Sequence, residues 1–248
     1  MHLLNFRPTT GSARVAVAAA LAAALTAFSA LALAADANSA SAVTIYKNDL
    51  RSSEGRGEIR QYGSKANCAR GGSSSAFRVK IGKKTRDCYY WIPVVGRDVQ
   101  IAATARVFKS TPKDVRPKVY AAVNLRQGKN GSRYQLSVYP SGNRYRVTKV
   151  AGNGNKRVLA GGKAGKVVNG FGEANRLTLR AFNDVKGQPA GSARLLAIVN
   201  GKRLAVIDDR EGGKLEGRDS TFSIGADRNA TGAAGSFVNL KLGLPDPF

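Results

Sequence analysis

The chain of 248 residues carries 40 lysines and arginines against 16 acidic residues, a formal net charge of +24. A balance this basic attracts anions at long range and does not by itself set the fold. The one histidine is His2. It falls in the leader described next, so the mature chain lacks histidine-dependent nucleophilic triads and the usual zinc ligands.

Residues 1–35 read as a signal peptide. Arg7 and Arg14 form the basic start, 15–33 is an Ala/Leu-rich apolar run, and Ala32-Leu33-Ala34 gives the small-x-small cleavage pattern. The run also approaches the length of a membrane span. Alanine is only weakly hydrophobic, however, so cleavage is the expectation, with no transmembrane segment left behind. The protein is then secreted or associated with the cell envelope, and the abundance of Ala, Gly, Arg and Val suggests a bacterial source. What remains, roughly 210 residues, fits one all-β domain. Anionic cell-wall polymers and acidic glycans rank first as partners, an envelope protein second, and nucleic acid is not expected.

After the leader, 36–75 is expected as a flexible lead-in and irregular loop, with one short strand at 43–46. The sandwich domain is expected from 76 to 248. Cys68 and Cys88 lie in the exported part, where two thiols normally pair. Closing a loop of about 20 residues is worth ~3 kcal/mol through restriction of the unfolded chain. Phe77, Val79 and Ile81 alternate with Arg78 and Lys80, which marks a half-buried strand. Further strands are expected at 99–107 and 118–125. The run YQLSVY at 134–139 turns at 140–143 and resumes at 144–150. NRLTLRAF at 175–182 has the same period of two.

LLAIV at 195–199 meets Asn200-Gly201 and returns at 202–207. Asn-Gly between two apolar runs predicts a type I′ hairpin, whose two central residues both need φ > 0. The last strand is expected at 237–242. Roughly ten or eleven short strands and no amphipathic helix predict an all-β protein, an antiparallel β-sandwich.

Tyr134, the run Tyr145-x-Val147-x-Lys149, Asn175-Arg176-Leu177, and Val199-Asn200-Gly201-Lys202 followed by Ala205 and Asp208 resemble the secreted bacterial laminin-G-like domains. These belong to the concanavalin A-like lectin/glucanase group, so the resemblance implies a jelly-roll sandwich. The final strand here lacks the aspartate pair that such domains commonly carry. The Glu-x-Asp-x-x-Glu strand of the glucanase branch does not occur, and fold analogy assigns no activity. With no paired carboxylates for glycosidase chemistry, a non-enzymatic binding module is the expectation.

Three groups of residues are candidates for binding. Arg78, Lys80, Arg144, Arg146, Lys149, Arg176, Arg180, Lys202 and Arg203 occupy polar positions of strands and turns. If they share a sheet face, they make a positive surface for phosphate- or carboxylate-bearing polymers; otherwise each is a solvated surface charge. Tyr89, Tyr90 and Trp91 offer sugar-stacking rings, but consecutive strand residues divide between two faces. A core plug beside Cys88 is the competing reading for them. Asp208, Asp209 and Glu211 read first as a solvated turn and alternatively as a Ca²⁺ site, since carboxylates suit a hard cation. No other cofactor is expected.

Overall fold

The computed structural model describes residues 43–62, 67–82, 85–183, 188, 190–210, 214–228 and 230–245. The signal segment 1–35, and with it the start of the lead-in, lies outside the described residues. Among those described are fifteen strands, one short α-helix and two single-turn 3-10 helices at Arg116–Lys118 and Gly165–Val167. The strands and the α-helix are β1 (Val43–Asn48), α1 (Ser53–Gly57), β2 (Arg60–Tyr62), β3 (Cys68–Ser73), β4 (Ala76–Ile81), β5 (Asp87–Val95), β6 (Gln100–Val107) and β7 (Val119–Gln127). There follow β8 (Arg133–Tyr139), β9 (Arg144–Val150), β10 (Lys156–Lys163), β11 (Ala174–Asn183), β12 (Ala193–Val199), β13 (Lys202–Asp209), β14 (Asp219–Ala226) and β15 (Ala234–Leu244).

They form two antiparallel sheets. Sheet A has eight strands in the order β13-β12-β11-β6-β15-β4-β3, with β1 also on β15. Sheet B has seven, ordered β10-β9-β8-β7-β14-β5-β2. The expected all-β antiparallel sandwich is the fold. β15 serves two partners on one side: Ala234–Phe237 pair with β4, and Leu240–Leu244 pair with β1. Asn239, at φ 54°, makes the intervening bulge. Asparagine tolerates that left-handed backbone better than most residues.

The segment expected as an irregular loop up to residue 75 instead holds α1, β2 and β3. The reason it escapes a period-two reading is position. β2 and β3 each lie at a sheet edge with one neighbour, so their RQY and CARGGS sequences need no sustained apolar face. Ser52 caps α1 by accepting a hydrogen bond from the Gly55 amide at 3.0 Å.

Between the sheets, Phe77, Tyr90, Phe222 and Phe237 form a ring cluster with centroid separations of 4.7–5.8 Å. Each fully buried aromatic ring contributes about 2–3 kcal/mol of apolar burial. The Cys68–Cys88 disulfide is present, with its Cα atoms 5.7 Å apart. It ties the edge of sheet A to β5 of sheet B. Asn200 (φ 50°) and Gly201 (φ 81°) make the β12–β13 turn as expected. The Asn200 side chain accepts from the Arg176 amide and donates to the Val167 carbonyl, both at 2.7 Å. The Asn-Arg and Asn-Gly motifs are therefore one structural clasp. No helix among the described residues is long and apolar enough to cross a membrane.

Candidate functional site

Sheet B has an unusual outward face. Alternation along β7 sends Val119, Ala121, Val123 and Leu125 into the core, and so sends Tyr120, Ala122 and Asn124 outward. Register aligns these with their neighbours. One row across the face reads Trp91, Thr221, Asn124, Gln135, Thr148. The next reads Tyr89, Ser223, Ala122, Ser137, Arg146, and the third Asp87, Gly225, Tyr120 and then Tyr139. The middle of the face is thus built from small or neutral polar side chains. Although they point away from the core, Ala122, Asn124, Thr221 and Ser223 are fully buried.

What covers them is a bridge. Arg133 on β8 donates to the Tyr89 hydroxyl on β5, and its guanidinium lies 4.4 Å from the Tyr89 ring centroid. β7 and β14 lie between those strands. At about 4.8 Å per strand, the two side chains span ~14 Å. The bridge roofs the floor residues. Arg133 also donates to Gln135 at 3.2 Å and to the Gly131 carbonyl at 2.7 Å, and Gln135 donates to Ser137 at 2.6 Å.

Within this face Trp91 Nε1, Asn124 Oδ1 and Ser223 Oγ are buried without a hydrogen-bond partner among the described residues. A buried polar group left so costs about 1–3 kcal/mol. One orphan is a donor, one an acceptor, and the hydroxyl is both. At the end of the face, Tyr120 donates to Asp87, Tyr139 donates to Asp227 at 3.0 Å, and Arg146 pairs with Asp227 at 3.2 Å. Arg144 and Arg146 lie 5.3 and 5.1 Å from the Tyr139 ring centroid. Burial, with Asp87 beside them, pushes the Tyr89 and Tyr120 phenols well up, so both stay protonated donors.

The candidate residues divide. Tyr89 and Trp91 share the outer face of β5, whereas Tyr90 is the core plug, fully buried. The nine cations do not share one face. Arg144 and Arg146 belong to the outer face of sheet B. Arg78, Lys80, Arg176 and Arg180 belong to the outer face of sheet A, with Lys202 and Arg203 at its β13 edge. Arg180 is buried there and donates to Gln100.

Lys149 is not a surface binder. Alternation turns it toward sheet A, where its ammonium pairs with the fully buried Asp209 carboxylate at 2.6 Å. Tyr134 donates to the same carboxylate at 2.6 Å, and Arg157 pairs with it too. Asp208, one residue earlier, points the other way and pairs with Arg194 at 2.8 Å. The two aspartates therefore face opposite sides and do not converge on one cation. Glu211 lies outside the described residues, and no metal-holding cluster occurs among those described. Arg133, Asn124 and Ser223 had no sequence signal, because alternating small and polar residues look like any solvated strand face. Only the register brings them together.

No protein-family model and no curated protein sequence matches the chain. Solved structures do. The chain is similar to the carbohydrate-binding module CBM66 from Bacillus subtilis, at 14% identity and TM-score 0.52, over 75% of this chain and 95% of that one. A Bacillus subtilis protein of unknown function with a galectin-like fold matches at 10% identity and TM-score 0.56, over 82% and 96%. The Crh5 transglycosylase in complex with NAG matches at 7% identity and TM-score 0.56, over 85% and 88%. At these identities the likeness is one of fold: the jelly-roll sandwich.

Proposed function

We propose that the protein is an extracellular, non-enzymatic binding module that takes an acidic glycan, such as an anionic cell-envelope polymer, on the outer face of sheet B. The observation that carries this is the orphan set beneath the Arg133–Tyr89 bridge. Trp91 Nε1, Asn124 Oδ1 and Ser223 Oγ ask for a ligand that both donates and accepts hydrogen bonds at close spacing. Sugar hydroxyls do both. Opening the bridge gives up a cation–π contact worth about 0.5–2 kcal/mol together with the bond from Arg133 to the Tyr89 hydroxyl. A ligand carboxylate offers Arg133 a charge-assisted bond of about 1.5–3 kcal/mol in exchange. Its departure frees the Tyr89 ring, beside Trp91, for stacking. The fold likeness to a carbohydrate-binding module is in keeping with this reading, as is the export expected from the leader sequence.

The test is binding of uronate-bearing and neutral oligosaccharides to protein recovered from an exporting host. Arg133→Ala is expected to weaken the acidic ligand at least about tenfold (1.4 kcal/mol) and Ser223→Ala to weaken both while leaving the fold intact. No new reducing ends should appear on prolonged incubation. Absence of retention on any glycan, or equal binding by both variants, would sink the proposal.

A further inference from the structure

The outward face of sheet A differs in kind from that of sheet B. Of its strands only β13 carries acidic residues, Asp208 and Asp209, and these are engaged by Arg194, Lys149 and Arg157. Among the outward positions elsewhere, Arg78, Lys80, Arg106 and Arg176 are exposed cations. Register places Arg78 and Arg106 on either side of Ser236 in β15, and Arg106 opposite Ala174 in β11. Two strand spacings separate Arg78 from Arg106, about 10 Å, and Arg176 lies about 8 Å further on by strand geometry. The line of charge crosses the strands rather than following one. None of the ion pairs among the described residues uses Arg78, Lys80, Arg106 or Arg176.

The face is also recessed. One cleft of about 510 Å³ is lined by Arg70, Arg78, Lys80, Phe108 and Pro112, among others. A second, of about 230 Å³, is lined by Arg51, Arg78, Thr104, Arg106, Phe108 and Ser236, among others. The two share Arg78 and Phe108, with the guanidinium 5.9 Å from the ring centroid. Cations spaced in this way stand about one Debye length apart at physiological salt, roughly 8 Å, so their mutual repulsion is partly screened there and grows as salt is lowered. An external anion relieves that repulsion.

We infer that the outer face of sheet A is a second binding surface, built for a linear polyanion laid across the strands. The polymer backbone rests in the joined clefts against Phe108, and its phosphate, sulfate or carboxylate groups meet Lys80, Arg78, Arg106 and Arg176 in turn. A thread enters such clefts, whereas a flat bilayer touches only their rims. The surface lies on the sheet opposite the proposed sugar site and stands whether or not that site holds a sugar. With both faces occupied, one molecule joins two polymer chains.

Inorganic polyphosphate favours this face, because it has no sugar ring or hydroxyl for the orphan groups of sheet B, and the Arg133 variant below reads any contribution from that sheet. Dextran sulfate extends the test to a polysaccharide, and neutral dextran and anionic-lipid vesicles serve as comparisons. The full chain from an exporting host should bind both polyanions, with affinity falling at least about tenfold between roughly 50 and 500 mM salt. The triple variant Arg78→Gln, Lys80→Gln, Arg106→Gln should lose at least about tenfold at low salt. Lys129→Gln, Lys156→Gln, Lys163→Gln, an equal charge change elsewhere, should lose less than about twofold. Arg133→Ala should bind polyphosphate as wild type does, which separates this surface from the sugar site. Equal losses in the two triples would reduce the effect to net charge and overturn the inference. So would binding to vesicles but to neither polymer, or no binding to polyphosphate. Should the first triple fail to fold, Arg106→Gln alone, expected to lose about threefold, decides the matter.

Discussion

On sheet B every outward arginine has company: Arg60 lies over Trp91, Arg133 lies on Tyr89, and Arg144 and Arg146 flank Tyr139, with Arg146 also on Asp227. On sheet A, Arg106 and Arg176 stand exposed and outside every ion pair among the described residues, although they occupy equivalent alternating positions. The same residue type thus serves structure on one face and remains available on the other. What separates the two cases is the neighbours that register supplies. Sheet B brings tyrosines and aspartates beside its arginines, and the acids of sheet A lie on β13 alone. A charge change should therefore cost stability in proportion to how completely partners enclose the charge.

The largest effect is expected in the interior between the faces. Asp209 is fully buried and takes Tyr134, Lys149 and Arg157 as partners. Asp209→Ala leaves an ammonium and a phenol buried or half-buried with their common acceptor gone. Breaking a buried ion pair in this way costs about 3–5 kcal/mol. Urea denaturation of the variant checks it. A loss below about 1 kcal/mol would mean that water replaces the carboxylate, and the ranking by enclosure would fail.

A smaller effect is expected on the enclosed outer face. A Cβ at Gly225 would sit 1.9 Å from Asp87 Oδ1 and 2.8 Å from the Tyr120 ring. Gly225→Val must displace the Tyr120–Asp87 contact, at an overpacking cost of about 1–3 kcal/mol. The same denaturation experiment reads it, with Ser236→Val on the outer face of sheet A as the contrast. If the two variants lose equally, sheet B is no more tightly filled than sheet A.

How much of this the sequence carried depends on the range of the interaction. The Asn200-Gly201 hairpin is local, and its dihedral demand is written in two residues. The Cys68–Cys88 bridge was legible because the export expected from the leader leaves two thiols one partner each. The β-sandwich followed from many alternating runs. The edge strands β2 and β3 were not legible, since one-sided pairing relaxes the need for apolar alternation. Nor was the division of the cations. Lys149 and Arg146 are three residues apart, so opposite faces of β9 receive them, yet both occupy basic positions in a strand that reads the same either way. The Arg133–Tyr89 bridge was the least legible feature. It joins positions 44 residues apart through a strand order, β8-β7-β14-β5, that no local pattern encodes.

The smallest expected effect concerns the pair at the rim of sheet A, where partners enclose the charge only in part. The hydrogen bond from Arg194, ahead of contributions from Gln188 and Arg210, holds the Asp208 carboxyl below its usual range. Because the folded-state value is depressed, the stabilisation is fully present above the unfolded value of about 4 and is lost as pH falls through the folded value. The pair is a quarter exposed on each side, so the effect is about 0.5 kcal/mol or less. Thermal melts at pH 6 and pH 3 should show a slightly smaller acid-induced drop for Asp208→Asn than for wild type, after matching salt. Arg194→Gln should reproduce that smaller drop, since it removes the depression from the other side. An acid-induced drop unchanged in both variants would mean that solvent screening already cancels the pair, placing Arg194 with Arg106 and Arg176 among the cations of sheet A that the fold leaves to external anions.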